Sequence, residues 1–491
     1  MEQQHNTNSV FRYVDWFTII LYVILVTAGA ISIYAASYDF DHASIFDFSE
    51  FSGKQIRWIG LAFAVGLILL LIDARFYEIY AGPLYIAMLL LLLVTIFIAP
   101  DIKGSRSWLV LGPMSLQPAE FAKVTTALAL AKIFSGYNFS LTGPDARQNY
   151  LQVLTIIFLP IVLILAQKET GSALAYLSLF FVLYREGMSG LVLMAAVCAV
   201  VFFVVAVKYT EGMILGIPVG QAAVFIMIMM IMVCMLVVYC RQYETGRNIF
   251  LGFAGAGIIA AIFALFGLTV PGYIFFFTCL LVATVYAVFM SMRGFARRKV
   301  VVTIAAVWVS VAFLFSINYT FENILQHHQQ ERILVTLGIK EDLRGAGYNV
   351  NQSKIAIGSG GLTGKGFLNG TQTKLKYVPE QHTDFIFCTI GEEEGFVGAA
   401  GVLILFLILI LRIIAIAERQ PTTFGRVYAY CVASYFIFHL AINIGMVIGL
   451  CPVIGIPLPF FSYGGSSLWG FTFLLFILLR IDASRRHALP V

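Results

Sequence analysis

The residues best equipped for chemistry lie between about Ile317 and Asp384, the one long polar stretch of the chain. It holds Asp342 in Lys340-Glu341-Asp342, and His382-Thr383-Asp384 at its end. Lys354, Lys365, Lys374 and Lys376 are interleaved with Gly358, Gly360, Gly361, Gly364 and Gly366. A carboxylate can take a proton from an attacking hydroxyl. Lysines among glycines can meet a bulky anion, because glycine lets the backbone approach closely. A stretch this long inside a compact protein is usually functional or disordered, and the regular glycines point to function. Taken alone, each residue also has a plain role. A Lys-Glu-Asp run is ordinarily a solvated face, and Thr383 or Asp384 would cap a following helix.

Other ionisable residues stand at the mouths of apolar runs. Glu120 and Lys123 follow Gln117-Pro118-Ala119 one turn apart, as an ion pair or as functional groups. Glu169 enters the next run in Gln167-Lys168-Glu169-Thr170-Gly171-Ser172, and Glu392, Glu393 and Glu394 open another, with one acid free to face a cavity. The segment Gly455–Ser467 has two prolines and two adjacent glycines where a helix should emerge, and irregular backbone at membrane depth belongs in a protein-lined cavity. The adjacent His327 and His328 cannot both face one ion on a helix, and no metal-ligand spacing, Ser/His/Asp set, P-loop or dinucleotide motif occurs.

These residues must be held by a membrane scaffold. Of 491 residues 60% are hydrophobic and 12% charged, with a mean hydropathy of +0.90. Soluble domains carry roughly 25% charged residues. The apolar residues come in solid blocks rather than in alternation, so the chain is expected to be all-α and polytopic. Spans of about 20 residues fall near 16–36, 58–73, 79–99, 119–135, 151–166, 172–185, 190–207, 219–240, 248–270, 273–292, 299–317, 396–417, 426–448 and 467–483. That makes about fourteen. Lys and Arg concentrate in alternate links, including Arg293, Arg297, Arg298 and Lys299, so both termini are expected in the cytoplasm and 317–384 outside. The net charge of +5 is explained by these helix ends and implies no nucleic acid. The seven cysteines lie mostly in apolar runs and read as buried thiols.

Several ordered motifs carry a resemblance. The stretches GAGYNVNQSKIAIGSGGLTGKGFLNGTQ, YVPEQHTDFIF, IGEEEGFVG and IGIPLPFFSYGGSS, with LQPAEFAK and QKETGSAL, are similar to the SEDS family, in its RodA/FtsW branch. The resemblance covers roughly 1–185 and 318–483. It implies a peptidoglycan glycosyltransferase that polymerises lipid II outside the bacterial cytoplasmic membrane, for elongation and shape, with a class B penicillin-binding protein as partner. It implies Asp342, six positions before Tyr348, as the catalytic aspartate, acting as base. Substrate-binding roles fall on Arg106, Glu120, Lys123, Glu169, Gln352, Lys354, Lys365, His382, Thr383, Asp384, Glu393 and Ser462. No cofactor is implied with certainty; a divalent cation is compatible with a pyrophosphate leaving group.

Departures from the family pattern are Leu343 where proline is usual, Lys168-Glu169 where Pro-Asp is usual, and Ser107 where arginine precedes the tryptophan. The family has about ten spans, so about four extra helices are expected in an insertion at 187–298 of a single membrane domain. A transporter of lipid-linked precursors would also suit many helices with buried acids. It would need polar residues along a whole transbilayer path, whereas these cluster at one end. A non-catalytic scaffold is the third class.

Overall fold

Helices dominate because a chain this apolar must satisfy its backbone internally. The computed structural model describes residues 11–38, 44–102, 104–112, 114–210, 212–266, 271–292, 297–325, 327–340 and 347–485. Among them, twelve helices are long and apolar enough to cross a membrane. The two other expected spans are helical but differ in kind. Pro118–Phe134 has 17 residues and carries buried charge, and the run after Glu169 is broken into Thr170–Ala175, a tight turn at Tyr176–Ser178, and Leu179–Arg185.

The chain divides into two units, Met1–Ser189 with Leu343–Val491, and Gly190–Asp342. In the first, helix Gly465–Ala483 is the innermost, with 89% of its apolar window buried against 17% for Ala81–Ile98, which turns most of its side chains outward. Helix Gly465–Ala483 packs on Phe51–Leu71 and Pro118–Phe134, and Thr423–Val447 packs on Pro118–Phe134 and Gly395–Glu418. The ends are chemically defined. Asp15 caps Trp16–Ser37 through the Thr18 amide at 3.1 Å, Thr422 caps Thr423–Val447, and Pro118 opens its helix where no amide partner is needed.

Between the last two long helices the chain runs irregularly from Cys451 to Gly464. Helix Trp16–Ser37 approaches it closely at Gly29, where a Cβ would stand 2.3 Å from the Phe460 carbonyl oxygen. The long polar stretch holds the short helices His327–Thr336, Tyr348–Gly360 and Thr371–Lys374, the first two over the amphipathic runs Gln329–Gly338 and Asn351–Ile357 of the sequence. Tyr348–Gly360 packs against the short helix Ile386–Glu393. Beyond it Gly364, at φ +78°, passes so close to Glu393 that a Cβ would meet its carbonyl oxygen at 2.0 Å.

The second unit has five long helices among its described residues: Gly190–Lys208, Val219–Cys234 continuing through a wide turn to Tyr239, Tyr243–Leu265, Gly272–Met292 and Arg297–Tyr319. Its core is apolar, with Phe225 stacked on Phe276 at 5.0 Å and Leu280, Val307 and Leu314 buried around them.

Candidate functional site

The sequence places His382-Thr383-Asp384 just before helix Ile386–Glu393, and the fold anchors them by their backbone. Tyr463 donates its amide to the His382 carbonyl at 2.8 Å. Ser462 donates its hydroxyl to the Thr383 carbonyl at 2.7 Å, and Asn443 donates its side-chain amide to the Asp384 carbonyl at 2.8 Å. Three consecutive carbonyls are thus bonded to the irregular segment and the helix before it. The three side chains remain half-buried, held in place by a backbone that cannot shift freely. His382 stacks on Phe51 at 4.2 Å. Ser462 also accepts the Leu458 amide at 2.7 Å, which shapes the turn it sits on.

Glu120 and Lys123 form a buried ion pair at 2.9 Å, with the Lys123 side chain wholly inaccessible. Lys123 also meets His439 Nε2 at 3.0 Å and lies over the Phe471 ring at 4.7 Å. Its charge is fully met by protein, so it is not open to a ligand as a free cation. His439 and Asn443, one turn apart on helix Thr423–Val447, reach the irregular segment at the Pro457 carbonyl and the Ile456 carbonyl.

Lys365 is likewise engaged, donating to Glu392 at 2.7 Å. Glu392 accepts from the amides of Thr371 at 2.8 Å, Gln372 at 2.9 Å and Thr373 at 2.9 Å. Burial works to raise the Glu392 carboxyl, but Lys365 and these amides outweigh it and hold the group below its ordinary range. Neighbouring Glu393, also buried, is pushed up to about 7, chiefly by burial and further by the charges of Glu392 and Glu394, against the amides of Leu368 and Gly370. Gln381 ties this region to the first, donating to the Thr373 carbonyl at 2.9 Å and the Ala36 carbonyl at 2.6 Å.

Glu169 takes hydroxyl donors from Ser105 at 3.1 Å and Ser107 at 3.0 Å. Burial raises its carboxyl, and the two serines pull it back in part. Ser107, at the position where the resemblance led us to expect arginine, is therefore a carboxylate partner. Arg106 next to it donates its amide to the Gln167 carbonyl at 3.0 Å, while its guanidinium is 58% exposed and only 4.0 Å from Asp101. Gln352 is half-buried and Lys354 exposed on helix Tyr348–Gly360, with the Lys354 side chain reaching over Gly449. Asp342 lies outside the described residues. Among those described, no three His, Cys, Asp or Glu side chains gather as a metal site.

Sequence alone assigns no role to His439, Asn443 and Gln381, and shows Ser107 only as a departure from arginine. The first two had a signal. Polar residues spaced i, i+4 inside an apolar run share one helix face, and such residues in a span ordinarily face the protein interior.

A family model described as a cell cycle protein, covering FtsW, RodA and SpoVE, matches residues 15–217 and 226–487. The chain is 30% identical over 416 residues to the peptidoglycan glycosyltransferase MrdB of Escherichia coli strain K12, spanning 84% of this chain and 81% of that protein. It is 28% identical over 470 residues to the peptidoglycan glycosyltransferase RodA of Treponema pallidum, spanning 96% and 97%. Among solved structures it resembles a chain from a peptidoglycan synthase complex described as coordinating polymerization and crosslinking. The TM-score is 0.58 at 25% identity, over 96% of this chain and 98% of that one.

Proposed function

The chain belongs to the FtsW/RodA/SpoVE family, and from that premise we propose that it is a peptidoglycan glycosyltransferase polymerising lipid II. The reaction is placed at the outer face of the bacterial cytoplasmic membrane, with both termini inside. Polyprenyl tethers stay in lipid while their sugars stay in water, so a polar surface built at one end of a helical bundle suits the substrate. The observation that carries the reading is the His382-Thr383-Asp384 segment, anchored by three successive carbonyls and presenting half-buried polar side chains.

In an inverting transfer the 4-hydroxyl of the acceptor sugar attacks the anomeric carbon of the donor. The bond to the polyprenyl pyrophosphate breaks as the β-1,4 bond forms, and the hydroxyl proton passes to a base. One displacement needs one base, and Asp342 is assigned that role. Six residues on, Tyr348 opens the helix that packs against Ile386–Glu393. The departing pyrophosphate carries negative charge that fixed donors must meet. Of the four basic residues assigned to it, Arg106 and Lys354 have accessible side chains, whereas Lys123 and Lys365 are committed to Glu120 and Glu392. The buried pair and the Glu392 node then act by fixing the surface, and Glu169 fixes the Ser105–Ser107 turn beside Arg106. A class B penicillin-binding protein is the proposed partner that crosslinks the strands.

The test is direct: purified protein, lipid II, and separation of products by length, with and without a class B partner. Glycan strands from the purified chain and its partner support the reading. Unchanged lipid II with the partner present, from folded protein, would end it.

A further inference from the structure

We propose that His439 is a positioning residue for polymerisation, aligning the buried Lys123 ammonium with the irregular segment that carries Ser462. The inference rests on the reading that the Glu120–Lys123 pair and this segment serve that reaction.

The hydrogen-bond inventory fixes its state. An ammonium has only donors, so His439 Nε2, 3.0 Å from Lys123 Nζ, must accept. A carbonyl only accepts, so Nδ1, 3.2 Å from the Pro457 oxygen, must carry the hydrogen. The imidazole is therefore neutral, in the Nδ1–H tautomer. Either alternative, an imidazolium or the Nε2–H form, would aim a hydrogen at a cation.

The ring is 1% exposed and meets the edge of Phe471 at 4.8 Å, the same ring that Lys123 covers at 4.7 Å. Glu120, His439 and Phe471 thus hold a long, rotamer-rich side chain in one place. His439 passes that position to Pro457, five residues before Ser462, whose hydroxyl holds Thr383 at 2.7 Å. Asn443 grips the same segment at Ile456 at 2.7 Å through its side-chain amide, one turn along the helix from His439. It is the natural control, since it would share a general packing role but not a link through the cation.

His439→Gln supplies a carbonyl to Lys123 and an amide to Pro457, whereas His439→Leu supplies neither. In purified protein with lipid II, His439→Leu should lower kcat by about 100-fold, the scale of a small misplacement of reacting groups, while KM moves by less than about threefold. His439→Gln should return to within about fivefold of the native rate. In a Lys123→Met background, His439→Leu should add less than about twofold, while Asn443→Leu adds its full factor. Folded His439→Leu working at the native rate, or multiplying its effect independently of Lys123→Met, overturns the proposal. Lys123→Met working at the native rate instead brings down the reading beneath it.

If His439→Leu does not accumulate, the native protein decides. Nitrogen-15 spectra of histidine-labelled enzyme should show a buried neutral Nδ1–H ring whose Nε2 signal moves in Lys123→Met. A ring protonated at Nε2 overturns the proposal.

Discussion

The two units bury different chemistry. The second is filled with Phe, Leu, Val, Met and Ile, and its buried polar side chains among the described residues are neutral: Gln221, Thr245, Ser291 and Thr303. These find near partners, as where Tyr273 donates its hydroxyl to Gln221 at 2.6 Å. The first unit buries Glu120, Lys123, Glu392, Glu393, Asp15 and Asp482. Charge inside a membrane protein is expensive and is ordinarily retained at functional sites. It also fixes geometry, since each ion dictates where its partner stands. The comparison teaches where to look: one unit is a packed apolar body, and the other holds its surface segments by internal ion pairs.

Removing a charge should separate the two most sharply. Lys123→Met leaves Glu120 buried without its cation, costing about 3–5 kcal/mol and most of the polymerisation rate. Thermal unfolding in detergent and the lipid II assay read these together. Glu120→Gln/Lys123→Met should recover stability but not rate. Full recovery of rate would mean that the pair is only structural.

Glu392→Gln comes next. It breaks the ion pair with Lys365 and weakens the bonds from three amides, for about 2–4 kcal/mol. Proteolysis between Gly361 and Lys374 should rise in the folded protein. An unchanged cleavage pattern would show that the node does not hold this segment.

Glu393 offers a subtler test. Its carboxyl lies near 7 in the fold against an ordinary 4.5. The folded state then binds the proton more tightly than the unfolded one, so the group's contribution to stability falls as pH rises from about 4.5 to 7 and is constant above. Glu393→Gln should flatten that slope. A slope identical to that of the native protein would place the titration elsewhere.

The smallest effect belongs to the second unit. Gln221→Leu removes one neutral hydrogen bond and leaves the Tyr273 hydroxyl to find another partner, for about 1 kcal/mol, with the polymerisation rate unchanged. A large loss of rate would show that the packing around Gln221 bears on the chemistry.

Sequence made the helices legible because a span is a local property. Solid apolar runs gave all of the long helices among the described residues, and Pro118 and Asp15 stand at the helix starts that their chemistry predicts. Pro118–Phe134 could be read as unusual from Glu120 and Lys123. The motifs gave the family, which the comparisons bear out. What periodicity could not supply was pairing across distance. Lys365 looks like a cation for phosphate until Glu392, 27 positions on, is seen against it. Ser107 looks like a missing arginine until Glu169, 62 positions on, is seen to use it. His439 and Asn443 were hidden inside an apolar helix, where a polar side chain announces an interior partner but not which one. Within 317–384 the short amphipathic runs Gln329–Gly338 and Asn351–Ile357 were legible, but not the packing that stabilises them, as Tyr348–Gly360 has against Ile386–Glu393.

The most direct test of the account is polymerisation of lipid II by purified native protein and Asp342→Asn, each with a class B penicillin-binding partner. The substitution keeps size and polarity while removing the base. The account predicts glycan strands from the native protein and none above background from Asp342→Asn, with both equally folded and membrane-inserted. Strands made at the native rate by Asp342→Asn would contradict it.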